Sequence, residues 1–402
     1  MKFTIPPLIK SLLRKDEIEL HDTSKTETAL PVFIIEGVTK NGRIPLICAF
    51  AGQNNITRHQ WTDLIFAESA ENYIKNLTPS QLPEYLKVNY PDCALLLIRY
   101  SNELLVPDIH EKAFFIPNFI DTFIDISDPL PVLCKKSRTG YANIRRLLSL
   151  NGLTYEITTE KNACQDFYHS IYLPYLIERH GIKSMRDDYT DLFPENIPSI
   201  LIFIKQKGLR IAGGVVHFVD GKCIFRFLGV MERMESSIPQ GIIGSMYYFL
   251  TKEMQILGYT KLFLGGSPPF LNNGLTRHKL RMMAQLDQTF KYQKSRSASC
   301  LLLNDCPGIR DFLCGNPLLY LENSGKLAGA LWINNDQYKT REDFVKEYTL
   351  FKRIGSGKNH LYLWNIDSVP ADWIESLADT GIAVMPASEK FYLTKGKQIK
   401  RT

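Results

Sequence analysis

Residues 210–230, RIAGGVVHFVDGKCIFRFLGV, decide the fold. Two runs rich in Val, Ile and Phe flank Asp220-Gly221, a tight-turn dipeptide, so the stretch reads as a β-hairpin. A loop, MERMESSIPQ at 231–240, leads to a helix opening at Gly241 in GIIGSMYYFLTKEMQILG, and a further strand, TKLFLGG, follows. Gln240, Gly241, Gly244 and Ser245 stand at the helix entrance. Small residues there let a ligand approach unpaired backbone N–H groups and the positive end of the helix dipole. That geometry suits a phosphate or pyrophosphate; packing and turn geometry are the other reading of the same residues.

Outward from this stretch, composition bounds the class. With 402 residues, 45% of them hydrophobic and 11% aromatic, the chain is long enough for two or three domains with their own cores. No apolar run reaches the length of a membrane span; ALLLI at Ala94–Ile98 fits a buried strand. Two prolines and early acidic residues in MKFTIPPLIKSLLRKDEIE argue against a signal peptide, so a cytoplasmic location is expected. The eight cysteines are scattered without a C-x-x-C pair, which fits neither a disulfide framework nor a zinc ribbon, and no metal site is expected. Cys223, inside the hairpin, reads as a small buried hydrophobe. A net charge of +6 permits an anionic ligand without requiring one.

The fold class expected is α/β with a mixed sheet, in three consecutive parts. Residues 1–130 form an N-terminal α/β module with a hairpin about Asn41-Gly42 and a helix from Gln60 to Lys75. Residues 131–321 form the central domain, and 322–402 a small α/β appendage with a basic tail. In the central part, Lys135, Lys136, Arg138, Arg145 and Arg146 are basic residues that face solvent or a polyanion. Aromatic residues at helical spacing in FYHSIYLPYLIERHG mark a core helix that Pro174 kinks, with Arg179 and His180 capping its end. Asp187 and Asp188 lie in an acidic loop able to meet an amine. Alternation along CIFRFLGV sets Arg226 among apolar neighbours, a position that calls for an anionic partner. His217, on the partner strand, reads as a satisfied sheet histidine. Gly355-Ser356-Gly357-Lys358 lacks phosphate-loop spacing and reads as a helix C-cap.

The order strand, turn, strand, Gly-containing helix entrance, helix, Gly, strand resembles the core of GNAT-fold N-acyltransferases. Their signature at the entrance is Q/R-x-x-G-x-G/A; here Gln240 is followed by Gly241 and Gly244, one position out of register. Three further phrases are similar to the Fem-like, twin-GNAT branch: S-R-x-x-x-x-x-I-R-R near 137–146, the bent helix around Pro174, and Gly274-Leu275-Thr276-Arg277-His278-Lys279 after the Pro268-Pro269 loop. The resemblance covers roughly 133–321. It implies a GNAT-like acyltransferase core, with the N-terminal module a possible degenerate copy and only one active site.

By that resemblance the co-substrate is acyl-CoA, not a permanently bound cofactor. It is held by Gln240, Gly241, Gly244 and Ser245, with Arg277 and Lys279 on phosphate oxygens and His278 shuttling a proton. Arg226, Asp187 and Asp188 would meet the acceptor, an amine on a small molecule, sugar or peptide. The strand Ile224–Val230 would splay and offer its amides to the thioester carbonyl. Glu232 or Glu235 would act as base and Tyr247 or Tyr248 as the acid for the leaving thiolate, since a phenol near pKa 10 resembles a thiol. Two alternatives accompany this reading: a Fem-like aminoacyltransferase with aminoacyl-tRNA as donor, and a non-catalytic binding protein on the same fold.

Overall fold

The computed structural model describes residues 28–99, 111–180, 187–231, 241–287, 297–334, 340–342, 359–375, 377 and 382–392, with backbone alone at Asn55, Ile56, Arg138, Thr139, Arg179 and His180. Two compact units divide the chain. The first takes its described residues from Asp121–Ser267 and Arg277–Asp287, the second from Asp22–Ile120, Pro268–Thr276 and Gln288–Thr402. Three consecutive parts are thus replaced by two interleaved ones.

Strands are numbered in chain order. The first six are β1 (Leu30–Thr39), β2 (Pro45–Ala51), β3 (Phe66–Leu77), β4 (Cys93–Ile98), β5 (Phe114–Pro117) and β6 (Ile120–Asp125). The next six are β7 (Leu153–Thr158), β8 (Ser199–Gln206), β9 (Leu209–Val219), β10 (Lys222–Val230), β11 (Lys261–Ser267) and β12 (Ala284–Leu286). The last five are β13 (Ser297–Leu302), β14 (Leu318–Leu321), β15 (Leu327–Ile333), β16 (Asn359–Leu363) and β17 (Ile382–Pro386).

The first unit is built on a seven-stranded sheet in the order β12-β6-β11-β10-β9-β8-β7. Its centre is the hairpin expected from the sequence: Asp220 (φ 50°) and Gly221 (φ 73°) both take the left-handed conformation that a two-residue hairpin turn requires, and Val219 closes on Lys222. Strands β7 to β10 run antiparallel in succession, and β11 then returns parallel to β10 after the helix Ile242–Ile256. This mixed α/β arrangement is the GNAT-like core. Alternate residues of the sheet fill two cores. Ile202, Ile204, Val216 and Phe225 pack with Met246, Leu250 and Met254 of that helix, whereas Leu201, Phe203, Val215 and Phe227 meet Phe167 and Tyr172 on the other face.

The second of those faces is covered by the bent helix of residues 161–180. It is α-helical over Lys161–Phe167, widens to a π turn over Tyr168–Tyr172, and resumes as Leu173–His180. Pro174 sits just past the widened turn, where a missing N–H is tolerated. The sheet makes room with glycines. A Cβ on Gly213 would stand 2.7 Å from the Phe167 ring, and one on Gly229 2.9 Å from the Tyr172 Cα.

The second unit carries a ten-stranded sheet, β17-β16-β15-β14-β5-β13-β4-β2-β1-β3. Strands of the stretch expected to be an appendage, β15 to β17, extend the same sheet as the N-terminal hairpin β1–β2. The helix expected at Gln60–Lys75 instead spans Asn55–Ile65, capped by Asn54 accepting from the Thr57 N–H at 2.9 Å. Residues from Phe66 onward form the edge strand β3, paired along its length with β1. Ladder formation overrides the helix propensity of FAESAENYIKNL. Among the described residues, no helix is long and apolar enough to cross a membrane.

Candidate active site

Strands β10 and β11 begin side by side and then part. Their parallel pairing is confined to Cys223↔Leu262 and Ile224↔Phe263, although β10 runs on to Val230 and β11 to Ser267. On its other edge β10 stays paired with β9 through Val230, with a register shift between Phe225 and Phe227. The bulge sits where the pairing with β11 ends. Beyond it, the β10 edge that faces β11 has no further ladder pair among the described residues, as the splayed strand expected from the sequence would.

Two devices shape the far side of this opening. Gly265, on β11, takes φ +65°, which turns the strand end. The Lys279 ammonium, 3% exposed, then donates to three successive carbonyls, Leu264 (2.8 Å), Gly265 (3.1 Å) and Gly266 (3.0 Å). All three of its donors are used, so Lys279 does not stand ready for phosphate oxygens as expected; it fastens β11. Burial lowers its pKa to about 8, against the raising influence of Asp121.

The helix entrance corrects a second expectation. A Cβ on Gly241 would lie 2.7 Å from Leu147 Cδ1, and one on Gly244 2.6 Å from Ile144 Cδ1. The glycines therefore admit the neighbouring helix Asn143–Asn151, and Gly241 (φ +90°) also makes the turn into the helix. Ser245 is fully buried, its hydroxyl donating to the Ile242 carbonyl at 2.6 Å. What the entrance does offer is the set of first-turn N–H groups that an α-helix leaves without helical acceptors. Arg145 and Arg146 are exposed on the packed neighbour. Because β10, the helix and β11 form a parallel crossover, that first turn lies at the carboxyl end of β10, beside the opening.

Tyr247 is buried, its ring edge-on to Phe225 at 5.4 Å and 5.4 Å from the His278 ring. Burial pushes its phenol well above the usual range, so it stays protonated. Tyr248 is half-buried, raised by desolvation against the opposing charges of Arg145 and Lys252. His278 is pulled below its ordinary value by burial and by Arg281 and Lys279. Arg277 is exposed. Glu232, Glu235 and Gln240 lie outside the described residues, as does the 355–358 loop.

Arg226 falls at the bulge and is exposed, not buried among apolar neighbours; the register shift rotates it out of the strict alternation. Desolvation nonetheless draws its pKa down, while Asp187, Asp121 and Asp191 act on it as opposite charges. Asp187 accepts from the Tyr172 hydroxyl at 2.9 Å, which places it beside the bent helix. Asp188 caps the short helix Tyr189–Leu192 in a capping box with Asp191, a structural duty. His217 is fully buried on β9, with Nε2 2.7 Å from the Leu192 carbonyl, and burial lowers its pKa to about 4.

Asp121 escaped the sequence reading. It begins the described part of β6 in the first unit, and burial together with Asp287 raises its carboxyl, opposed by Lys279, Arg226 and Lys222. Asp287 itself is 3% exposed, 3.9 Å from the Lys222 ammonium. No local pattern in IDTFIDISD sets this aspartate apart, since its neighbours come from three distant stretches.

Strand order, splay and crossover helix define the class: a mixed α/β unit with a GNAT-like fold. No protein-family profile matches the chain, and no curated protein matches it in sequence. Solved structures similar to it include FemX, at 12% identity over 71% of this chain and 87% of that one, with a TM-score of 0.35. L-PGS from Bacillus licheniformis is similar at 12% identity, over 59% of this chain and 66% of that one, with a TM-score of 0.29. A GCN5-related N-acetyltransferase from Kribbella flavida gives 13%, 59%, 83% and 0.25 in the same order. The chain thus spans just under two thirds of L-PGS. The class stands on the strand order and register of the chain itself.

Proposed function

We propose that the chain is an N-acyltransferase that moves an acyl group from acyl-CoA to an amine by direct attack in the β10/β11 opening. One observation carries the reading: β10 leaves its parallel partner after Ile224 and, among the described residues, has no further ladder pair on that edge, beside the first turn of the Ile242–Ile256 helix. In this reading the pyrophosphate meets the first-turn N–H groups, and the thioester carbonyl meets amides of the β10 edge. The acceptor amine meets the carboxylates that act on Arg226, Asp187 first among them. Tetrahedral charge is stabilised by fixed backbone dipoles, so positioning supplies much of the rate.

Calorimetric titration with CoA and acetyl-CoA tests this, alongside Ile243→Asp. That substitution adds negative charge at the helix start and avoids the Ile144 contact that a change at Gly244 would strike. Saturable binding, weakened roughly tenfold or more in a variant that melts like the wild type, is the expected result. Absence of CoA binding overturns the acyl-CoA reading. The exposed Arg145 and Arg146 beside the entrance favour aminoacyl-tRNA as the second donor; binding that falls steeply with salt identifies it. If neither binds, a partner-binding protein without chemistry is what remains.

A further inference from the structure

We propose that the amine acceptor is a zwitterion, an amino acid held with its ammonium at Asp121 and its carboxylate at Arg226; the assignment rests on the acyl-CoA reading above. The placement follows from strand register. Strands β6 and β11 are neighbours in the first sheet. The Ile126 N–H donates to the Thr260 carbonyl at 2.8 Å, and the Phe123 and Phe263 rings lie 5.8 Å apart, so the two strands run antiparallel. Continuing the same step sets Asp121 across from Gly265. On the other side of Gly265 stands β10: Ile224 pairs with Phe263, and a Cβ on Gly265 would lie 3.5 Å from the Phe225 carbonyl, whose peptide leads into Arg226. Asp121 and Arg226 thus flank a residue without a side chain.

Both charges belong to one face of the sheet. Ile124, Leu264 and Phe225 pack in the core of the Ile242–Ile256 helix, so Phe123 and Asp121 take the opposite face. Arg226 joins them there at the bulge, since Asp187, which the Tyr172 hydroxyl of the bent helix meets, and then Asp121 are the first opposite charges acting on it. Lys279 gives the same placement from another direction: its ammonium, 3.1 Å from the Gly265 carbonyl, also acts on Asp121.

Two strand spacings separate β6 from β10, about 10 Å. An ammonium and a carboxylate a few bonds apart span that gap; a simple amine meets one half of it, and a peptide with distant termini cannot meet both. The Arg226 guanidinium is exposed, and its fork of donors matches a carboxylate. Asp121 is half-buried, and burial together with Asp287 holds its carboxyl above the ordinary value, so a cation brought beside it is favoured. Of the lysines that act on it, Lys279 spends its donors on carbonyls and Lys222 lies 3.9 Å from Asp287. The acyl transfer balances: nitrogen bonds to the thioester carbon and the carbon–sulfur bond breaks with its electron pair on sulfur. Of the two protons the ammonium gives up, one ends on that sulfur as free CoA and the other in solvent.

The test uses the full chain and acetyl-CoA. CoA release is followed with the common amino acids, each beside its own amide and beside the amine that lacks the carboxylate. The best amino acid should exceed its amide by roughly tenfold or more in kcat/KM, and Arg226→Gln, checked for its urea midpoint, should bring the two within about twofold of each other. Asp121→Asn should raise KM for acid and amide alike. In the wild type, an amide that serves as well as its acid, or acetyl-CoA binding with no release from any of these amines, overturns the zwitterion assignment while the donor reading stands. A preference that survives Arg226→Gln, or a KM unmoved in Asp121→Asn, overturns it as well. No acetyl-CoA binding at all overturns both readings.

Discussion

The two sheets contain the same motif in two states. In the first unit the hairpin β9–β10 is followed by a helix and by β11, parallel to β10; in the second the hairpin β1–β2 is followed by a helix and, after β3, by β4, parallel to β2. Strands β2 and β4 pair from Ile47↔Cys93 to Ala51↔Ile98, the length of the shared strand. Strands β10 and β11 pair twice and part. The open copy has a bulge in its hairpin, a left-handed glycine in the returning strand, and a buried lysine on that strand's carbonyls. The hairpin register of the closed copy runs unbroken from Val32↔Ala51 to Val38↔Pro45. An opening of this kind takes more than a single irregularity, since β2 and β4 stay paired past a register shift between Ile47 and Cys48.

The largest break in the comparison should come from Lys279→Met, which leaves the Leu264, Gly265 and Gly266 carbonyls without their donor. A loss of about 3–5 kcal/mol is expected from denaturant unfolding of the first unit, with faster amide exchange around β11. Unchanged stability would show that the carbonyls find other partners and that the lysine does not hold the strands apart.

Acid should reach the open sheet first. The His217 pKa is depressed to about 4, so between pH 6.5 and 4 the unfolded chain binds a proton that the folded one refuses. Stability present above pH 6.5 is lost progressively down to about pH 4, by roughly 3 kcal/mol in total. Urea midpoints across that window should slope less in His217→Gln, whatever its offset at pH 7; identical slopes would contradict the neutral, buried state.

Smaller effects separate packing from ligand approach. Gly244→Ala should cost about 1–2 kcal/mol by pressing on Ile144, and Ile144→Val should recover part of it. Donor binding lost at wild-type stability would instead restore the ligand reading of that glycine. Gly265→Ala should cost about 1 kcal/mol from left-handed strain alone, because the new Cβ would stand at an ordinary 3.5 Å from the Phe225 carbonyl.

What the sequence made legible was local. Asp220-Gly221, the two strands it joins, the following helix and the returning strand are each specified within a few residues, and all form as read. The helix expected to run to Lys75 failed because β1 claimed residues from Phe66 as a ladder partner, a choice made by contacts far along the chain. Arg226 looked buried because alternation assumes an unbroken strand, and the bulge breaks it. Lys279 read as a phosphate ligand because nothing in its own neighbourhood announces three carbonyls gathered by a left-handed Gly265. Asp121 was silent for the same reason: its chemistry is made of Asp287, Lys279, Arg226 and Lys222, none nearby in sequence.

The interleaved second sheet has a consequence for how the chain must be born. One edge of β4, CALLLI, pairs with β2 early, but its other edge belongs to β13, through Ser299↔Ile98 to Leu302↔Leu95. Roughly two hundred residues, at ribosomal rates of about 5–20 per second, are made between the two, a wait of ten seconds or more with an apolar strand edge uncovered. All the described residues of the first unit emerge inside that interval. Nascent chains stalled before Ser297 should therefore be the species most in need of chaperone cover, and the most prone to join one another edge to edge.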